Sequence, residues 1–508
     1  MKLKFFAALT LLLAAVPAWA DAPARSLQQQ VEAVLATAPQ GTRFGLLVVD
    51  ADGREVVAIA PDQRFIPASN TKLFTTAAAL ADYPGMDRPD VAGGTDVALV
   101  PVRQPTMRGG GVMVVGASAT GPLPSGPLDV WLMGNGDARM SSAADCTSDC
   151  LAALADAVAA RTRRVRDVVG DDSIWPDQRW SPGMSWNNIA SNDGTAASAL
   201  NLDSNELTVL VRPAAAGQAP AVTAPAYYSF RNEATTGAPG SPNTLALDRA
   251  VGGMDLRLYG SIPADAAEWR DRIGIDDPAH YAAWTLRRML EARGVRVAGT
   301  VRAYHRPVAD WDAPGASLPL GPPIMLRPPA LAALIPPPLV EDIAIINKSS
   351  QNLHAEVLAR RLGDLHGTGS RAWAGTEISA VLERAGIARA GYDFSDGSGM
   401  STYNRVSPRA AVALLRWGQS QPWGAAWRAS FPIGGTDGTL RRRFAQTPLQ
   451  GGIFAKTGTL NATNALSGYL TAASGRELTF SIFANDVPDG ANAVPVIDAA
   501  LQVIAAAM

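Results

Sequence analysis

Lysine is almost missing from this 508-residue chain. Five occur, Lys2, Lys4, Lys72, Lys348 and Lys456, whereas lysine and arginine together number 44, so 39 cations are arginine. Histidine and cysteine are scarce too, with four and two copies. His280, His305, His354 and His366 are scattered without His-Glu-x-x-His spacing, and two cysteines cannot build a typical zinc site. Neither a catalytic metal nor any cofactor is expected. A net charge of −2 leaves no strongly basic face, which argues against nucleic acid as a partner. The N-terminal apolar run is short of the span a bilayer needs and no later transmembrane segment is found, so membrane association is expected to be loose at most. A Gly-x-Ser-x-Gly elbow is also missing, which disfavours a Ser–His–Asp hydrolase of the α/β type.

The N-terminus does carry a short apolar run. Lys2 and Lys4 precede it, and Ala18-Trp19-Ala20 follows as a cleavage site, so residues 1–20 read as a secretory signal peptide and the mature chain as starting at Asp21. Export to the periplasm or the extracellular space is expected. There, Cys146 and Cys150 in "DCTSDC" could form a small local disulfide.

Cleavage would leave three lysines. Arginine stays charged wherever it sits, whereas a buried lysine can give up its proton. A chain this poor in lysine should keep it where a neutralisable amine matters. All three lie in polar islands: "SNTK" at 69–72, "NKSSQN" at 347–352 and "KTGT" at 456–459.

In the first island Ser69 stands at or just before the helix that continues through Leu80. Residues i and i+3 share a helix face, so the Lys72 amine can approach the Ser69 hydroxyl as base to nucleophile. A plain helix cap beside a solvated lysine has the same spacing. In the second, Leu353, Val357, Leu358 and Leu362 form a helical stripe with Ser350 and Asn352 at its front, either capping the helix or facing a cleft. In the third, three strands are predicted over 452–459, 465–472 and 477–485. Gly458 would let a ligand backbone lie close to its strand. "GIFAKT" is not a phosphate loop, because Ala455 rather than glycine precedes Lys456 and strands rather than a helix follow.

Ser-x-x-Lys, Ser-x-Asn and Lys-Thr-Gly, in this order, resemble the three motifs of the penicillin-recognising serine enzymes. The wider wording, "NKSSQNLHAEVLARRLG", "FSDGSGMSTYNRVSP", "GGTDGTLRRRF" and "AKTGTLNATNALSGYL", is similar to the class C low-molecular-mass penicillin-binding proteins. That resemblance implies an α+β catalytic domain, with an antiparallel sheet covered by helices and a helical subdomain, interrupted by large inserted α/β and β domains. It implies a D-alanyl-D-alanine carboxypeptidase/endopeptidase of peptidoglycan stem peptides and cross-links, working through an acyl-enzyme and acylated by β-lactam antibiotics. Ser69, Lys72 and Ser350 would then be catalytic. Asn352, Lys456, Thr457, Gly458, Thr459 and Ser398 would bind substrate, and loop 396–401 would border the site. The same motifs also suit a β-lactamase-like hydrolase or a non-catalytic wall-binding protein on this fold. Lys348 would tune the charge of the cleft or lie on the surface.

Between Ser69 and Ser350 lie 281 residues, far more than the motifs need. The expected layout is catalytic domain 21–87, inserted domain 88–203, a small nested unit 204–257, the inserted domain again 258–312, and catalytic domain 313–508. Two stretches of the insertion echo one another: "LAALADAVAARTRRVRDVVGDDSIW" and "YAAWTLRRMLEARGVRVAGTVRAYH" both read as helix, basic turn, strand.

Overall fold

The computed structural model describes residues 25–102, 121–123, 125–316 and 327–508; the expected signal peptide lies outside them. Among the described residues, no helix is long and apolar enough to cross a membrane.

A five-stranded antiparallel sheet organises the catalytic part, in the order Glu55–Ile59, Arg43–Val49, Glu477–Asn485, Thr463–Thr471, Ile453–Leu460. Phe44 pairs with Ala484, so strands far apart in sequence lie side by side. Alternation along each strand serves two cores. Leu466, Leu470, Phe480 and Ile482 face the helices Leu27–Leu35 and Val494–Ala507. Ala465, Tyr469 and Phe483 face the opposite layer, which includes Thr71–Asp82, Asn352–Asp364 and Pro408–Gln419.

The insertion has its own mixed sheet, ordered Val301–Arg306, Val168–Pro176, Leu128–Met133, Asp96–Pro101, Ala332–Ala333. The two echoing stretches form neighbouring helix–strand units. Helices Leu151–Arg161 and Pro278–Ala292 each feed a strand, and Val168 pairs in parallel with Val301. Cys146 and Cys150 are joined by a disulfide just before the first of these helices.

Two strand pairs cross the expected domain boundaries. Strand Glu206–Arg212, in the expected nested unit, pairs with Trp269–Gly274 beyond 257. Ala332–Ala333, beyond 313, forms an edge of the inserted sheet beside Asp96–Pro101. Leu256 and Leu258 pack in the same hydrophobic cluster as Val130, Val168 and Leu286.

The insertion grips the helix Asn352–Asp364. Arg360 lies over the Trp175 ring at 5.0 Å and donates to the carbonyls of Pro176 and Gln178 at 2.8 and 3.2 Å. Arg361 pairs with Asp90, and both side chains are buried.

Candidate active site

All three lysine islands converge on one cleft of about 480 Å³, lined by Ser69, Ser350, Asn352, Thr457 and Thr459 together with Asp193 of the insertion. Ser69 sits in a single 3-10 turn, Ala68–Asn70, that runs directly into the helix Thr71–Asp82. The cap position of that helix is Asn70, and the Ser69 hydroxyl has the Lys72 amine 2.8 Å away.

Lys72 has no exposed surface. Besides Ser69 Oγ, its Nζ meets Asn352 Oδ1 at 2.6 Å and the Ser398 carbonyl at 2.6 Å. An ammonium has three donors and no acceptor. A neutral amine has two N–H groups and one lone pair, which suits two carbonyl-type oxygens plus one hydroxyl that donates. Burial pulls the Lys72 pKa from its ordinary value down to about 7, against the opposing pull of Asp396, Glu356 and Asp193.

Lys456 is equally buried, on the edge strand Ile453–Leu460. Its Nζ donates to Ser350 Oγ and to the Thr457 carbonyl, both at 2.9 Å. Burial, and then the charge of Lys72, hold Lys456 well below the usual lysine range. The Lys456 amine thus lies behind a row of hydroxyls. Thr457 Oγ1 is 2.7 Å from Thr439 Oγ1, a further hydroxyl on the cleft wall.

Ser350 links the helices Val340–Lys348 and Asn352–Asp364 with a left-handed backbone, φ 62°. The cap of the second helix is Gln351, whose side chain accepts from Leu353 N at 2.8 Å. That leaves the Ser350 hydroxyl uncommitted to capping. Asn352 is shared between protein groups: Oδ1 serves Lys72, and Nδ2 donates to the Asp193 carbonyl at 2.9 Å.

Ala455 N–H points outward to the Pro432 carbonyl. Strand groups alternate with a period of two, so the N–H groups of Thr457 and Thr459 face the same open edge. Gly458 has a different reason for being glycine than ligand access: a Cβ there would lie 2.7 Å from the Pro67 carbonyl oxygen and 2.9 Å from Asn70 Nδ2. The strand thereby packs tightly on the turn that carries Ser69. Ser398 is buried, and its carbonyl rather than its hydroxyl reaches the lysine, so direct substrate contact through its side chain is not what this geometry offers. Lys348 is ion-paired with Asp437.

Sequence reasoning missed Asp193, Glu356 and Thr439, and named Asp396 only as part of a bordering loop. Glu356 stands one helical turn after Asn352 on the same face, a spacing that could have marked it. Asp193 reaches the site from a turn of the insertion, and no local pattern announces that.

Over residues 27–86 and 121–508 the chain matches the D-Ala-D-Ala carboxypeptidase 3 (S13) family. It is 34% identical over 497 residues to a D-alanyl-D-alanine carboxypeptidase from Actinomadura sp. (strain R39), covering 93% of this chain and 84% of that protein. It is 22% identical over 466 residues to the D-alanyl-D-alanine carboxypeptidase DacB of Haemophilus influenzae, covering 89% and 87%. The crystal structure of penicillin binding protein 4 (dacB) from Haemophilus influenzae superposes with a TM-score of 0.73 at 19% identity, covering 93% of this chain and 98% of that one, which shows a shared fold.

Proposed function

Because the chain belongs to the D-Ala-D-Ala carboxypeptidase 3 (S13) family, we propose that its carboxypeptidase chemistry runs as acyl transfer through Ser69, with Lys72 as the base. The enzyme is a serine-type D-alanyl-D-alanine carboxypeptidase. The observation that carries the residue roles is the Lys72 amine, buried and held between Ser69 Oγ and two carbonyl-type oxygens.

Neutral Lys72 takes the Ser69 proton as Oγ bonds to the D-Ala carbonyl carbon. Positioned base catalysis of this kind contributes on the order of 10²–10⁴ in rate. The N–H groups of Ser69 and Thr459 face the oxyanion of the tetrahedral intermediate, each such donor being worth on the order of 10²–10³. Breaking the C–N bond expels terminal D-Ala, whose amine takes a proton passed through Ser350. Water then attacks the ester carbon and gives a proton to Lys72, which passes it to Ser69 Oγ as the C–O bond breaks, so that both residues return to their starting state. The substrate's terminal carboxylate meets the hydroxyls of Ser350, Thr457 and Thr459, with the Lys456 amine behind them. Asn352 keeps one N–H for the substrate amide.

The substrates are peptidoglycan stem peptides, and a cross-link amide fits the same chemistry as an endopeptidase reaction. A β-lactam presents a similar amide and leaves Ser69 acylated. The reading 1–20 as a leader, with the Cys146–Cys150 disulfide, favours a periplasmic or extracellular enzyme.

Mass spectrometry after benzylpenicillin treatment tests this. A single penicilloyl adduct on the peptide containing Ser69, absent from Ser69→Ala, is expected. Equal labelling of both proteins, or none, would overturn the assignment. An adduct lost within seconds would favour a β-lactamase.

A further inference from the structure

Beneath the loop that presents the Ser398 carbonyl to Lys72 lies a buried carboxylate to which no step above gives a role. Glu356 Oε1 accepts from the Gly397 and Ser398 N–H groups at 3.1 and 2.9 Å. Its other oxygen is ion-paired with Arg371, and both side chains are nearly buried. Asp396 continues the grip, accepting from Gly399 N at 2.9 Å and Ser401 N at 2.5 Å. Two of the three partners of Lys72 therefore depend on one helix: Asn352 is its first residue, and Glu356, one turn later, holds the residue that supplies the second.

We propose that Glu356 is a positioning residue for acylation, anchoring the Ser398 carbonyl against Lys72 and supplying the buried counter-charge of that amine. This inference rests on the reading of Lys72 as the base. Titratable groups surround the amine from every packed element: Glu356 from the helix, Asp396 from the loop, Asp193 from the insertion and Lys456 from the edge strand. Among the carboxylates, burial works to raise both Glu356 and Asp396. Arg371 and the Ser398 amide reverse this at Glu356, whereas at Asp396 the charge of Glu356 adds to it. The ion pair with Arg371 and the two amide donors thus favour the ionised form of Glu356. Arg371 balances it and also ties it to the insertion, donating to the Gln178 and Arg179 carbonyls at 3.2 and 3.3 Å.

The test is the second-order rate of acylation by a fluorescent penicillin, followed from pH 5 to 9. Glu356→Gln keeps an acceptor for the two amides and drops the charge, so the midpoint of the acid limb should move down by roughly one unit. Arg371→Gln removes the balancing cation and should move it up. Glu356→Asp keeps the charge and shortens the reach; its midpoint should stay while the plateau falls at least about tenfold. A midpoint unmoved in both Glu356→Gln and Arg371→Gln, whatever happens to the plateau, reduces Glu356 to a structural residue and overturns the proposal. Should Glu356→Gln fail to fold, the upward move or its absence in Arg371→Gln decides alone. A wild type that is never acylated at Ser69 defeats the functional reading itself; acylation with an unmoved limb defeats only this proposal.

Discussion

Gly399 stands directly against the backbone of Ala68: a Cβ at 399 would lie 1.9 Å from the Ala68 carbonyl oxygen and 3.0 Å from Ser69 N. Both residues are left-handed, φ 92° at Gly399 and 47° at Ala68. A residue other than glycine at 399 is strained by its own backbone and pushes the nucleophile's turn away. Displacement of the reacting group by about 1 Å costs on the order of 10²-fold in rate. Gly399→Ala should therefore lose about that factor in penicillin acylation while remaining folded by circular dichroism. A variant with the wild-type rate would show that the turn can move without consequence.

The pH dependence follows from Lys72. Only the neutral amine accepts a proton, and its pKa lies at about 7. The acylation rate should rise about tenfold per unit below that value and level off above it. Lys72→Arg keeps a cation that cannot be neutral at these pH values, so acylation should fall by roughly 10²–10⁴ and show no such limb. Stopped-flow labelling across the range reads both.

At Ser350, strain and chemistry can be separated. Its φ of 62° suits glycine, and holding such a backbone with a side chain costs on the order of 1 kcal/mol. Ser350→Gly should unfold at the same or a slightly higher temperature than wild type, and Ser350→Ala at a lower one. Both lose the hydroxyl bonded to Lys456, so kcat should drop equally in the two. Unequal kcat values would mean that backbone conformation, not the hydroxyl, is what the reaction needs.

Arg361→Ala leaves Asp90 buried without its cation. Breaking such a pair by removing one partner costs about 3–5 kcal/mol. Denaturant unfolding should show this loss, and restoring the pair's volume with Arg361→Met plus Asp90→Leu should recover most of it.

How much of this was legible in the sequence depended on how local each signal was. The islands around Lys72, Ser350 and Lys456 each stand out within a few residues and meet in one cleft, and the strands 453–460, 463–471 and 477–485 lie within one residue of the expected spans at most ends. The cap at Gln351 was hidden because glutamine is not a preferred capping residue. The strand pairs that cross the expected boundaries close over long separations, 206–212 with 269–274 and 96–101 with 332–333, which no local pattern announces. The Asp193 contact uses a backbone carbonyl, a group every residue has, so no residue type could mark it.

The order of strands in the catalytic sheet has a consequence for biosynthesis. The segment bearing the nucleophile leaves the ribosome early, yet its sheet needs Glu477–Asn485 between Arg43–Val49 and Thr463–Thr471 before it can exist. Until that late strand is made, Ser69 and Lys72 have no wall, no second amine and no edge strand facing them. An unfinished chain cannot assemble the cleft, and the hydrolase exists only once the polypeptide has folded from both directions.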